Sequence, residues 1–143
     1  TCNEKYDAIF NLFTSFGYFE DDADNYKTIK AIHNSLTETG FAVIDFMNVD
    51  YVLENLVADE IKSVDGIDFH IKRYLKDGHI YKEIDFEDKG EKFHFTEKVQ
   101  ALRLEDFEKM MEEAGIYLLD IFGDYKLRKF FKTQSERLIM IFK

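Results

Sequence analysis

The sequence predicts an α/β fold in three parts: a strand, helix, strand unit over residues 1–50, an inserted antiparallel β section over 51–102, and a final helix with a closing strand pair over 103–143. Three observations carry this. Two nearly continuous apolar runs, "AIFNLF" and "FAVIDF", flank a stretch with helical spacing. The pattern then changes to apolar and polar alternation over residues 60–102. Finally, the amphipathic "LEDFEKMMEEAG" precedes two more apolar runs.

Each element has a local reason. "AIFNLF" has the pattern of a strand covered on both faces, as in a sheet with helices on either side. Asp24 or Asn25 is placed to cap the next helix, in which Ile29, Ile32 and Leu36 recur at helical spacing while Lys27, Lys30 and Glu38 face water. Gly40 is expected to end it. "FAVIDF" follows as a second strand covered on both faces, and a strand, helix, strand unit of this kind strongly prefers a right-handed crossover.

In the alternating section, "IDFHIKRYL" places Ile67, Phe69 and Ile71 on one side and Asp68, His70, Lys72 and Tyr74 on the other, and "HIYKEIDF" and "KFHFTEKVQAL" alternate likewise. Asp65-Gly66, Asp77-Gly78 and Lys89-Gly90 fall between these runs, where glycine supplies the positive φ of tight turns. Leu104, Phe107, Met110, Met111 and Ala114 then form one helical stripe, with acids in its first turn and Gly115 positioned to terminate it. "IYLLDIF" and "RLIMIF" are the last strands, joined by a charged loop over residues 123–136 that suits an antiparallel pair.

Composition bounds the rest. At 143 residues, with 45% apolar and 16% aromatic side chains and no proline, the chain reads as one domain with a sizeable core. Its net charge of -10 argues against nucleic acid and anionic membrane partners, which are held by lysine and arginine. The single cysteine, Cys2, cannot form an intrachain disulfide. With no apolar signal segment or spanning run, the chain reads as soluble and cytoplasmic. His33, His70, His79 and His94 show no zinc-type spacing, so no metal is expected. Thr1 stands first, which leaves both processing and a longer parent chain open.

The ordered motifs resemble a known family. "YDAIFNLFTSFGYFEDDADNYKTIKAIHNSLTETGFAVIDFMN" resembles the stretch from the fourth to the fifth sheet strand of class I S-adenosylmethionine-dependent methyltransferases, with an aromatic, hydroxyl-bearing loop after strand four and a Leu-x-x-x-Gly turn before strand five. "HFTEKVQALRLEDFEKMMEEAG" is similar to the segment that closes the substrate lid and opens the last helix in the small-molecule branch, which includes sugar and glycine-type N-methyltransferases. "SERLIMIFK" resembles the final strand. The resemblance implies the C-terminal half of a Rossmann-like methyltransferase sheet, from strand four onward, with an inserted antiparallel β lid. No G-x-G occurs, so the family's glycine-rich cofactor turn and its ribose-binding acid are expected upstream of Thr1, and this chain alone is expected to be inactive. Arg103 departs from the Ser or Thr that usually caps the family's last helix.

The resemblance also implies site residues. Asn11, Leu12, Phe13, Thr14 and Ser15 would face S-adenosylmethionine; the alternative is that Leu12 and Phe13 are core and Thr14 and Ser15 turn the chain. Tyr18 and Phe19 would line the substrate pocket or plug the helix below it. Asp45, Phe46, Met47 and Asn48 would end strand five with side chains in the crevice, although Asn48 equally suits the cap of a helix in "VDYVLENL". In the lid, His70, Arg73, Tyr74 and Lys82 are polar candidates for a substrate, and Tyr74 falls near a position where some sugar N-methyltransferases carry a catalytic histidine. The alternative for these four is a solvent-facing sheet surface. The implied function is methyl transfer to a small-molecule acceptor, against a non-catalytic ligand-binding or oligomerisation module. A hydrophobic edge at the strand around Ile9, left without its strand-one neighbour, is expected to pair in a homo-oligomer, with the lid as the alternative contact.

Overall fold

A computed structural model describes residues 4–143, so Cys2 lies outside the described residues. In chain order the elements are β1 (Tyr6–Asn11), α1 (Asp22–Asn34), β2 (Leu36–Met47), α2 (Val49–Glu54), β3 (Asp59–Val64), β4 (Ile67–Lys76), β5 (His79–Asp88), β6 (Glu91–Gln100), α3 (Leu104–Ala114), β7 (Leu118–Phe122) and β8 (Arg137–Phe142). They form two compact units. One comprises the described residues up to Glu54 together with Leu102–Lys143; the other is Asn55–Ala101.

The first unit holds a four-stranded sheet of order β1-β2-β8-β7, in which β1 and β2 run parallel and the other pairs are antiparallel. In β2 and β8, Ala42 lies opposite Phe142, Ile44 opposite Met140 and Phe46 opposite Leu138. Side chains directly opposite share a face, so these six form one apolar surface, and all are buried. Helix α3 supplies Phe107 to it, whose ring centroid stands 5.4 Å from those of both Phe16 and Phe46. The helix ends as expected, with Gly115 in the left-handed region at φ 69°. At its start, the Arg103 N–H donates to Asp106 Oδ2 at 2.8 Å, and the Arg103 guanidinium pairs with Asp50 at 3.0 Å.

Three expectations for this unit need correction. β1 is not covered on both faces: it is an edge strand paired with β2, and Tyr6 and Phe10 are 44% and 57% exposed. An apolar run reports what a strand could bury, not what covers it. Helix α1 is capped by Asp21, whose side chain accepts from the Ala23 N–H at 3.0 Å, rather than by Asp24 or Asn25. It also ends before Gly40. Ser35 closes it, and Leu36, Glu38 and Gly40 are already in β2. Gly40 serves packing instead, since a Cβ there would stand 2.8 Å from the Tyr6 carbonyl oxygen.

The second unit is an antiparallel meander of order β3-β4-β5-β6. Its three turns have both central residues at positive φ: 51° and 79° at Asp65-Gly66, 49° and 72° at Asp77-Gly78, and 51° and 78° at Lys89-Gly90. That pair of signs matches the twist of a two-residue hairpin. Phe86 anchors an aromatic row, 4.8 Å from Phe69 and 4.9 Å from Phe93 between centroids. Among the described residues, no helix is long and apolar enough to cross a membrane.

Candidate functional site

The C-terminal ends of parallel strands β1 and β2 lie side by side, with Asn11 in register with Ile44. Open α/β sheets bind ligands at this end. The loop leaving β1 turns sharply there, through two successive non-glycine residues in the left-handed region, Phe13 at φ 59° and Thr14 at φ 55°. Each such residue costs about 1–2 kcal/mol and persists only where its surroundings hold it.

What holds it is Asp45, which is 1% exposed. Its Oδ2 accepts the Phe13 N–H at 2.9 Å and the Tyr125 hydroxyl at 2.9 Å, and its Oδ1 accepts Arg137 Nε at 2.8 Å. Its own carbonyl accepts the Thr14 N–H at 3.0 Å. Arg137 then donates from Nη2 to Thr14 Oγ1 at 2.9 Å and lies 5.8 Å from the Tyr125 ring centroid. In the β2–β8 register Asp45 faces Ile139, so Arg137 is its diagonal neighbour on the same face, within reach of a long side chain. A buried carboxylate is tolerated because it is paired and every contact is a donor. Burial, and then the bond to Asp45, push the Tyr125 hydroxyl above the ordinary tyrosine range.

Residues 11–15 are therefore gathered into one loop. Leu12 and Phe13 are 38% and 75% exposed, which removes the alternative that they are core. Thr14 binds Arg137, and the Ser15 hydroxyl donates to Asn11 Oδ1 at 2.9 Å. Tyr18 and Phe19 are exposed and do not plug a helix; Phe16, 1% exposed against Phe107, does that. Phe46 is a correction. It was expected to point into the crevice, but strand alternation turns it into the core, where it is 0% exposed, and puts Asp45 on the other face, against the turn at Phe13 and Thr14. The crevice reading of Asn48 is corrected likewise, because its Nδ2 donates to the carbonyls of Lys132 and Ser135 at 2.8 and 2.6 Å, whereas the alternative holds in position, since Asn48 directly precedes α2 and its carbonyl accepts the Val52 N–H at 3.0 Å.

In the second unit, His70 and Tyr74 share one face, while Arg73 and its register partner Lys82 lie on the other. The four polar candidates are thus two pairs facing opposite ways. Arg73 is occupied by Glu60 at 2.8 Å, a bond that holds the Glu60 carboxyl below its usual range. The Tyr74 hydroxyl donates to Glu83 at 3.1 Å, and its ring stacks on Tyr81 at 5.0 Å. Burial, then the Glu83 bond, raise its pKa, so it stays protonated at neutral pH. On the face of His70, His94 pairs with Asp85 at 2.6 Å. Among the described residues, no three His, Cys, Asp or Glu side chains are grouped to hold a metal ion.

The reading of strand ends included Asp45 but missed Arg137 and Tyr125. The available signal was a lone acid inside the apolar run "FAVIDF" and a lone base opening "RLIMIF".

No protein-family model matches the chain. It is 27% identical over 124 residues to a glycine/sarcosine/dimethylglycine N-methyltransferase of Actinopolyspora halophila, covering 85% of this chain and 21% of that protein. It is 26% identical over 126 residues to a glycine/sarcosine N-methyltransferase of Halorhodospira halochloris, covering 85% of this chain and 45% of that one. Among solved structures, an S-adenosylmethionine-dependent methyltransferase from Clostridium acetobutylicum aligns with all of this chain and 60% of its own, at 26% identity and a TM-score of 0.84. The chain is thus similar, in sequence and in fold, to class I S-adenosylmethionine-dependent methyltransferases. The CcbJ methyltransferase of Streptomyces caelestis shares the fold at 13% identity and a TM-score of 0.81, over 99% of this chain and 58% of its own. The chain spans less than half the length of the curated relatives it matches. At the strand ends, Leu12 and Phe13 are exposed on a loop held by Asp45 and Arg137.

Proposed function

We propose that the protein transfers a methyl group from S-adenosylmethionine to a small-molecule acceptor, an amine of the kind named for the two N-methyltransferases it is similar to. The observation that carries this reading is the loop of residues 11–15, held in a costly left-handed turn with Leu12 and Phe13 outward at the strand ends where such folds bind ligands. When bound, the cofactor supplies an electrophilic methyl group on a sulfonium. The part of this chain is to position and to exclude water, which is where most of the rate of such a displacement arises.

On this reading residues 11–15 form one flank of the cofactor site, and Leu12 and Phe13 keep it dry. Tyr18 reaches toward the acceptor from the same loop. Residues 51–102 are assigned the choice of acceptor, with His70 and Tyr74 on one face of their sheet and Arg73 and Lys82 on the other. Tyr74, protonated at neutral pH, contributes a hydroxyl and not a base. In this chain by itself, the edge of β1, with Phe10 exposed beside Phe41, is where a second copy adds.

The test is calorimetric titration of this chain, and of the chain extended to its full reading frame, with S-adenosylmethionine and S-adenosylhomocysteine. Binding by the extended chain is the expected result. Binding by neither form would overturn the methyltransferase reading in favour of a non-catalytic module, and a monomer in ultracentrifugation would remove the edge contact.

A further inference from the structure

We infer that Asp45, Arg137 and Tyr125 are a positioning device for the loop of residues 11–15, setting its conformation from two strands and a loop. This rests on the cofactor-facing reading of that loop. Its geometry does not: the device bonds the amides of both residues whose backbone is in the unfavourable region and the hydroxyl of one of them.

The argument is one of convergence. Asp45 receives the amides of Phe13 and Thr14, one through its carboxylate and one through its carbonyl. Arg137 fixes the Thr14 hydroxyl while neutralising Asp45. Tyr125 donates its hydroxyl to the Oδ2 that also takes the Phe13 amide, and its ring meets the Phe13 ring edge-on at 6.4 Å between centroids. Two consecutive residues are thus held at both amides, one hydroxyl and one ring. Three separate parts of the chain do the holding: the end of β2, the start of β8 and the loop after β7.

The planar, forked guanidinium matters here. Nε and Nη2 serve two different acceptors at once, the carboxylate and the threonine hydroxyl. A lysine keeps the charge that Asp45 needs but has one nitrogen at the end of a flexible stem. Arg137→Lys therefore separates the two tasks, neutralising the buried charge and positioning the loop.

The experiment compares wild type, Arg137→Lys and Thr14→Val in the full reading frame. It reads hydrogen exchange at the Phe13 and Thr14 amides, melting temperature and S-adenosylhomocysteine affinity. The expected result is faster exchange at both amides in both variants, with affinity about tenfold weaker, the scale on which small misplacements act, and melting temperatures close to wild type. Unchanged exchange at both amides in Arg137→Lys would overturn the inference whatever the ligand result. If exchange rises but wild type does not bind S-adenosylhomocysteine at all, the device stands as a loop clamp and the methyltransferase reading is what fails. Asp45→Asn, rescued in exchange but not in affinity by any second change at Arg137, would also count against the inference, since it would separate the loop from the site.

Discussion

Asn48 donates from Nδ2 to the carbonyl of Ser135 at 2.6 Å, across 87 residues of sequence and with its own side chain only 4% exposed. The same nitrogen donates to the Lys132 carbonyl at 2.8 Å. One amide therefore ties the end of β2 to the loop that delivers β8, and so stands directly behind the Asp45 and Arg137 pair.

Asn48→Ala removes both donors and leaves two carbonyls without partners. An unsatisfied buried polar group costs about 1–3 kcal/mol, so a loss of at least about 2 kcal/mol of unfolding free energy is expected in urea. Asn48→Asp is expected to be no better, because a carboxylate cannot donate to either carbonyl. A loss below about 0.5 kcal/mol for both variants, the ordinary range of surface changes, would show that the loop is held by other contacts.

Gly123 is required by proximity rather than by backbone angle. A Cβ at this position would lie 2.2 Å from Ser135 Oγ, and that hydroxyl accepts the Phe131 N–H at 2.8 Å. Gly123→Ala is expected to displace Ser135 and cost about 1–3 kcal/mol, the usual range for overpacking. Ser135→Gly frees the space, so the double variant should be more stable than the two single losses sum to. A double-mutant cycle with no coupling would refute the clash as the cause.

Tyr125 should report the charge on Asp45. Its hydroxyl holds its proton more tightly when folded, so whatever it contributes to stability is present below the pH where an unfolded tyrosine titrates, about 10, and is lost as pH rises through the folded value. Asp45→Asn removes the two interactions with Asp45 that raise this pKa and leaves the opposing influence of Arg137. The Tyr125 ring carbon signal in NMR should then titrate at lower pH than in wild type. An unchanged midpoint would mean that burial alone sets it.

Much of the architecture was legible locally. The three Asp-Gly or Lys-Gly turns of the meander, the stripe of Leu104, Phe107 and Met111, and the stop at Gly115 each depend on sterics and hydrogen bonds within about four residues. Those signals were read correctly. The bounds of α1 were not, because Asp21, Asp24 and Asn25 are all competent caps, and the competition between Leu36 as a helix position and as a strand position is decided by pairing with Tyr6.

The sequence by itself determined the order of elements, the place of the hairpin turns and the likeness to the methyltransferases, since these are carried by local patterns and by words spelled along the chain. Only the tertiary structure decided that Asp45 rather than Phe46 faces the strand ends, and that Arg137 and Tyr125 meet it there. The physical reason is that strand phase is set by which face a distant helix covers, here Phe107 on Phe46. A buried charge likewise finds its partner through sheet register, and Asp45 and Arg137 are 92 residues apart in sequence but diagonal neighbours in space.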